Sequence, residues 1–298
     1  MHTRMKVGIG VLATLAVVAA SVGVGQVRFA RQIGREVGEL LAATGNARPA
    51  VLTEDDLRGL PAPVQRWLRY SRVVGTERPA TIRLKQEGQF RTGEGQAWLP
   101  FEAEQHFTTD PPGFIWSVSM RMAPLVTITG RDRYANGTGE IEMRVLSLIP
   151  VAEKRGGSLN QAALLRYLAE IGWFPAAAVS PYIAWQSLDD NAARATISHG
   201  GLTASATFSF DAQGHLTTVV AERHDDARNT LVRWSGINHA YGELGGVPVP
   251  MEGEAIWHYD SGDFSYIRLR IVEIEYNRPA PVGAQVARSS LAPSTNAL

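Results

Sequence analysis

The sequence predicts a mostly β domain of the α+β class. One strongly curved antiparallel sheet forms a partly open barrel, an inserted helix lies on its concave face, and a transmembrane helix precedes it. Three observations carry this. Residues 7–25 hold no charged side chain, and a bilayer core needs roughly 20 apolar residues in helix. From Thr81 onward, apolar and polar residues alternate with a period of two through most of the chain, the mark of strands with one buried and one wet face. A single stretch of helical periodicity, residues 161–171, interrupts that alternation.

The N-terminal run admits three readings. His2, Arg4 and Lys6 supply the basic start of a signal peptide and Val18-Ala19-Ala20 would serve as its cleavage site. The length favours an uncleaved anchor. Arg28, Arg31 and Arg35 outnumber Arg4 and Lys6, which favours a domain facing the cytoplasm, although long domains translocate largely regardless of flanking charge. The expectation taken forward is a single-pass anchor in a bacterial inner membrane, touching the bilayer through residues 7–25, with the domain on the extracytoplasmic side. Residues 29–43 then place Phe29, Ile33, Val37, Leu40 and Leu41 on one helical stripe, read as a helical stalk. Residues 44–50 (TGNARPA) read as linker. Thr53 is placed to cap a short helix from Glu54. Pro61 and Pro63 open another helix, with Val64, Trp67 and Leu68 on its apolar side.

The strands follow in order. Ile82, Leu84, Gln86, Gly88 and Phe90 alternate with Arg83, Lys85, Glu87, Gln89 and Arg91. Phe101, Ala103, Gln105 and Phe107 do so with Glu102, Glu104 and His106. Asp110-Pro111-Pro112-Gly113 turns the chain into a strand over 114–122. Asn136-Gly137 is a hairpin signal between strands 125–134 and 139–149. Ser158 and Gln161 fit a capping box for a helix that Pro175 stops. Its Leu164, Leu168 and Ile171 are predicted to pack on the concave face. Strands resume at about 193–199, 203–210, 215–223, 230–241, 252–260 and 264–276. Ten or eleven sequential antiparallel strands must curl, close or split. The domains are thus 1–26 anchor or signal, 27–52 stalk and linker, 53–277 half-barrel and 278–298 a disordered tail rich in Pro, Ala and Ser.

Composition narrows the function. The net charge is zero, which removes the electrostatic case for nucleic acid. With no Cys, disulfides, thiol nucleophiles and thiolate metal sites are excluded. The seven histidines form no metal-ligand spacing, and no nucleophile elbow, phosphate loop or dinucleotide fingerprint occurs. No metal and no cofactor are expected.

Segments 60–75 (LPAPVQRWLRYSRVVG), 100–116 (PFEAEQHFTTDPPGFIW), 164–175 (LLRYLAEIGWFP), 245–257 (GGVPVPMEGEAIW) and 272–277 (VEIEYN) resemble a bacterial family of uncharacterised proteins. The family is a domain of unknown function, often with one N-terminal membrane span. The resemblance covers about residues 53–277. It implies no established activity and no catalytic residues. More distantly, the architecture is similar to lipoprotein-carrier half-barrels of the Lol type, which hold acyl chains under a helical lid, a likeness of fold and not of site.

Candidate site residues come from the patterning. Phe114, Trp116, Val118, Met120 and Met122 share one strand face, either as core or as the lining of a lipid or acyl cavity, since Met suits varied apolar ligands. Trp173 and Phe174 are expected to line the same space. Glu170 lies four residues after Arg166 and is read either as half of a solvated helical ion pair or as a functional carboxylate under the lid. Glu273 and Glu275 share a face with Ile267, Leu269 and Ile271, as an acid pair at the cavity rim or as a strand end entering solvent. Three functions follow: a membrane-tethered protein binding a lipid-like ligand, an enzyme acting on a lipid or glycan through these carboxylates, or a partner-binding module of the envelope using a sheet edge. The exported topology has a direct check. Protease added to intact spheroplasts should degrade the domain, and protection until lysis would refute it.

Overall fold

The computed structural model describes the backbone of residues 2–45 and 50–277, with side chains from residue 13 onward except at Leu15. The expected tail, 278–298, lies outside the described residues, as do the side chains of 7–12 and Leu15 within the expected span. Among the described residues no helix is long and apolar enough to cross a membrane.

Helix α1 is continuous over His2–Ala42. The expected stalk does not stand free. Val37 and Leu40 are buried with Ile115 and Ala135 in a small cluster of their own, so the apolar stripe read from the sequence docks onto the sheet. Thr53 occupies the expected cap position, where its backbone N–H and hydroxyl both donate to the Asp56 carboxylate (2.7 and 2.8 Å), over the short turn Glu54–Leu57. Helix α2, Ala62–Tyr70, buries Val64, Trp67 and Leu68 as its pattern requires.

One antiparallel sheet of thirteen strands makes the domain. The first six are β1 Thr81–Phe90, β2 Leu99–Thr109, β3 Pro112–Ala123, β4 Val126–Ala135, β5 Thr138–Val145 and β6 Ile149–Arg155. After helix α3, Ser158–Glu170, come β7 Ile183–Ser187, β8 Ala192–His199, β9 Leu202–Phe210, β10 Leu216–Asp225, β11 Thr230–Leu244, β12 Val247–Tyr259 and β13 Gly262–Tyr276. Their spatial order is β6-β5-β4-β3-β2-β1-β13-β12-β11-β10-β9-β8-β7. The chain lays down one half-sheet, crosses by α3, and lays down the other so that its last strand pairs with its first. The sequence expectation fell short by two strands for local reasons. Leu146 and Ser147 both take positive φ (53° and 58°) and reverse the segment expected as one strand over 139–149. Strand β7 is too short, at five residues, for alternation to declare it.

The sheet wraps α3. That helix packs on β4 and β5 from one half and on β8, β9 and β10 from the other. Leu164, Leu168 and Ile171 are fully buried, as the pattern predicts. The expected capping box is absent: Gly157 occupies the cap position without a side-chain bond. Gln161 donates instead to the Thr203 carbonyl (2.8 Å), and Ser158 to Asp226 (3.2 Å). Tertiary partners outcompeted the local cap. One corner of the wrap is closed by a backbone contact. A Cβ on Gly200 would meet the Gly137 Cα at 2.6 Å, and Gly200 itself has a φ of +61°, so only glycine fits. Beside it Tyr134 Oη and His199 Nδ1 share a hydrogen bond (2.8 Å). Replacing Leu168 by Ala is expected to cost about 3 kcal/mol through the cavity it leaves. Chemical denaturation checks this, and a loss under about 1 kcal/mol would mean α3 is not the centre of the core.

Candidate functional site

Where α3 meets the concave face, a chain of polar side chains crosses an otherwise apolar interior. Arg166 points into the sheet and donates to Asp132 Oδ2 (2.5 Å) and Glu170 Oε1 (2.8 Å). Its guanidinium lies over the rings of Phe114 and Trp116, 5.0 and 4.9 Å from their centroids. Gln105 donates to Glu170 Oε2 (2.8 Å) and accepts from Gln86 (3.4 Å), whose own oxygen takes the Trp116 indole N–H (2.8 Å). The sequence builds this from strand alternation, because Gln86 and Gln105 occupy inward positions where an apolar residue would serve a plain core. The Arg166–Glu170 pair expected from the helix is therefore present but not solvated, its side chains being 18% and 14% exposed.

One cation faces two carboxylates here. Burial alone would lower the Arg166 pKa, but the Glu170 and Asp132 carboxylates outweigh it and raise it. Burial pushes the Glu170 carboxyl up despite Arg166 and Gln105, with Asp132 adding repulsion. Glu170 thus holds its proton more readily than an ordinary carboxyl does. Asp132 Oδ1 is buried without a hydrogen-bond partner.

The remaining candidates divide. Phe114, Trp116, Val118 and Met120 are buried on the concave face (0 to 5% exposed), while Met122, at the strand's end, is 45% exposed. Phe174 is fully buried and Trp173 half-buried, its carbonyl accepting from Tyr276 Oη (2.7 Å). Trp116 and Phe174 belong to the same buried apolar cluster on the concave side. Phe107 packs between Phe114 and Phe174, with its ring 6.2 Å from the first and 4.7 Å from the second, and Tyr167 packs beside it. The glutamates of β13 are on the other side altogether. Lys85 pairs with Glu273 and Gln86 with Ile271, which leaves Val272 as a bulge. The extra residue reverses the alternation. Ile274 joins Ile271 in the core, and Glu273 and Glu275 turn outward onto Arg83 (2.8 and 3.0 Å). The Lys85 ammonium, with Arg83, holds the Glu273 carboxyl below its ordinary range, the opposite of what a general acid needs.

Two constellations escaped the sequence reading. At the strand ends opposite α2, Arg223 lies over Trp234 and Trp257, 5.6 Å from each ring. Tyr266 Oη accepts from Arg223 (3.3 Å) and from the Trp234 indole (3.1 Å). The Arg223 Nε is buried without a partner. Among the described residues no carboxylate is within ion-pairing distance of this half-buried guanidinium. Only the register that sets Ala221, Trp234, Trp257 and Phe264 side by side assembles the cluster. The second is a serine, histidine and aspartate in series. Ser235 Oγ is 2.8 Å from His258 Nε2, and His258 Nδ1 is 2.7 Å from Asp263. This has the connectivity of a hydrolytic triad. However, Ser235 is 3% exposed, and β11 lies between β10 and β12, so its backbone N–H groups are committed to the ladder. That burial withholds the hydroxyl from the access a nucleophile needs.

The Glu170 shift has a measurable consequence. Folded Glu170 binds its proton more tightly than the unfolded chain does, so the folded state holds more protons between the ordinary value of 4.5 and the raised one. Its contribution to stability is greatest below that window and falls as the pH rises through it. Urea midpoints measured from about pH 4 to about pH 8 should show this decline in the native chain and a flatter profile in Glu170→Gln. Parallel profiles would assign the decline to another group.

Residues 50–269 match a protein family described as a family of unknown function, DUF6544. Among solved structures, a DUF1329 family protein from Desulfovibrio piger is similar at 12% identity and a TM-score of 0.33, covering 73% of this chain and 94% of that one. A LolA superfamily protein from Nitrosomonas europaea is similar at 8% identity and a TM-score of 0.38, with the same shares of 73% and 94%. No curated protein matches the chain. The family match runs from the residues before α2 into β13, across most of the chain, and the protein belongs to the DUF6544 family.

Proposed function

We propose that this chain is a membrane-tethered binding protein that holds a hydrophobic or amphiphilic, lipid-like molecule in the open end of its half-barrel. The carrying observation is the pairing of an apolar wall with an unpaired cation. Trp116, Val118 and Met120 run along β3 away from Arg166 and end at the exposed Met122. Phe101 joins them from β2 through the pairing of Phe101 with Met120. Ligand sites are mostly apolar with a few placed polar groups. Arg223, stacked on tryptophans and lacking a carboxylate, is such a group. It fits the carboxylate or phosphate head of an amphiphile whose tail follows the wall. The run 7–25 serves as the uncleaved anchor, holding the domain on the extracytoplasmic side of a bacterial inner membrane.

A carboxylate-dependent enzyme draws less support. Glu170 faces the concave interior while Glu273 and Glu275 sit on the outer face in ion pairs, so they cannot act on one substrate.

Binding measured with fluorescent analogues separates the parts. The full-length chain in amphipol should bind both a fatty acid and the corresponding fatty alcohol. Arg223→Gln should weaken the acid about tenfold, on the order of the 1.4 kcal/mol worth of one charge-assisted contact, and leave the alcohol unchanged. Met120→Gln should weaken both. Equal binding of the acid by Arg223→Gln and the native chain would remove Arg223 from the site. No binding of either ligand would defeat the reading as a whole.

A further inference from the structure

Helix α1 crosses the outer face of the sheet in a fixed direction. Near its C-terminal end, Leu40 abuts Gly113 at the start of β3. One turn earlier Glu36 pairs with Arg131 (3.2 Å), then Gln32 bonds Glu142 (3.1 Å). At Gly25 the helix meets Leu148 in the turn between β5 and β6. Everything before Gly25 therefore projects past that turn, and Val17, Val18 and Val24 stand in solvent there.

The turns at this edge are as apolar as the helix leaving beside them. Leu125, between β3 and β4, is 96% exposed, and Ile149 and Val151 of β6 are 60% and 56% exposed. Leu125 also holds a φ of +66°, a conformation glycine adopts freely and leucine rarely. A large apolar side chain in water at a strained turn gains nothing within the monomer. Such patches mark surfaces that meet a partner or a membrane. Just behind them Arg28 enters the wall of a cleft of about 750 Å³ between α1 and the β5–β6 turn, beside Arg144, whose guanidinium is paired with Glu142. A cation set one step back from an apolar edge matches the phosphate level of a bilayer.

We propose that the β3–β4 and β5–β6 turns form a lipid-docking edge that seats the open end of the half-barrel on the bilayer from which α1 emerges. The proposal rests on the tethered-carrier reading above and extends it. Met122, where the concave apolar wall ends, adjoins the same β3–β4 turn, so an acyl chain would pass between bilayer and wall without crossing water. The partner is the phospholipid surface itself, chosen over a second copy of the chain because the exposed residues lie beside a helix that leaves the domain in the same direction.

The absence of native cysteine makes the test direct. Single variants Leu125→Cys, Ile149→Cys and, as a remote control, the exposed Gln213→Cys are labelled with an environment-sensitive fluorophore in the full-length chain. Each is reconstituted into vesicles of phosphatidylethanolamine and phosphatidylglycerol. Probes at 125 and 149 should shift to the blue and be quenched several-fold more by lipid-borne quencher than the probe at 213. If the chain floats with the vesicles but all three probes report water, the docking edge is refuted while the tether stands. If the chain does not float, tether and edge fail together. Shifts that persist in amphipol and grow with protein concentration would show a second copy covering the edge and overturn the proposal. A blue shift on a chain that binds no fatty acid would uphold the edge and reject only the carrier reading.

Discussion

The fold depends on burying one face of a very large sheet with very little helix. Thirteen strands present an apolar concave face, and α3, thirteen residues long, lies at its centre. A flat sheet of that size would leave most of the face in water. The sheet curls until both halves reach the same helix, and Leu164, Leu168 and Tyr167 are then enclosed from both sides. The contact of Gly137 with Gly200 marks how tight that curl becomes, because two strand pairs far apart in the order touch with no side chain between them.

The price of the arrangement is charge inside the wrap. Arg166 enters the concave side with two carboxylates, and cutting one partner of a buried pair costs about 3–5 kcal/mol against about 0.5–2 kcal/mol for a ring contact. The ion pairs, and not the stacking on Phe114 and Trp116, therefore set where this side chain sits. Through Gln105 and Gln86 the same network fixes the Trp116 indole. It ties α3 to both β2 and β4, and it lies between the aromatic cluster around Phe107 and the apolar wall that runs out to Met122.

The outer face follows different rules. There Arg83 gathers Glu104, Glu273 and Glu275, and Arg131 gathers Glu36, Glu140 and Glu142. These clusters, beside the apolar contacts of Val37 and Leu40, join neighbouring strands and α1, whereas the inner face joins the strands to α3 largely by apolar packing. The division explains why the glutamates of β13 are structural and why α1 docks in one register along β3 to β5.

By itself the sequence determined the class of the domain, most of its strands and the inward face of α3, because period-two and period-3.6 burial are local consequences of backbone geometry. It also determined the inward row Phe114 to Met120 for the same reason. What it could not determine depends on events between strands. One bulge at Val272 moved Glu273 and Glu275 to the outer face, and nothing in the alternation of that strand announces where a residue will be left unpaired. The Arg223 cluster arises from register across four strands that are distant in the chain. The packing of Phe107 against Phe114 and Phe174 was decided by how far the sheet curls, which is set by the whole concave face closing on α3 and by no segment alone.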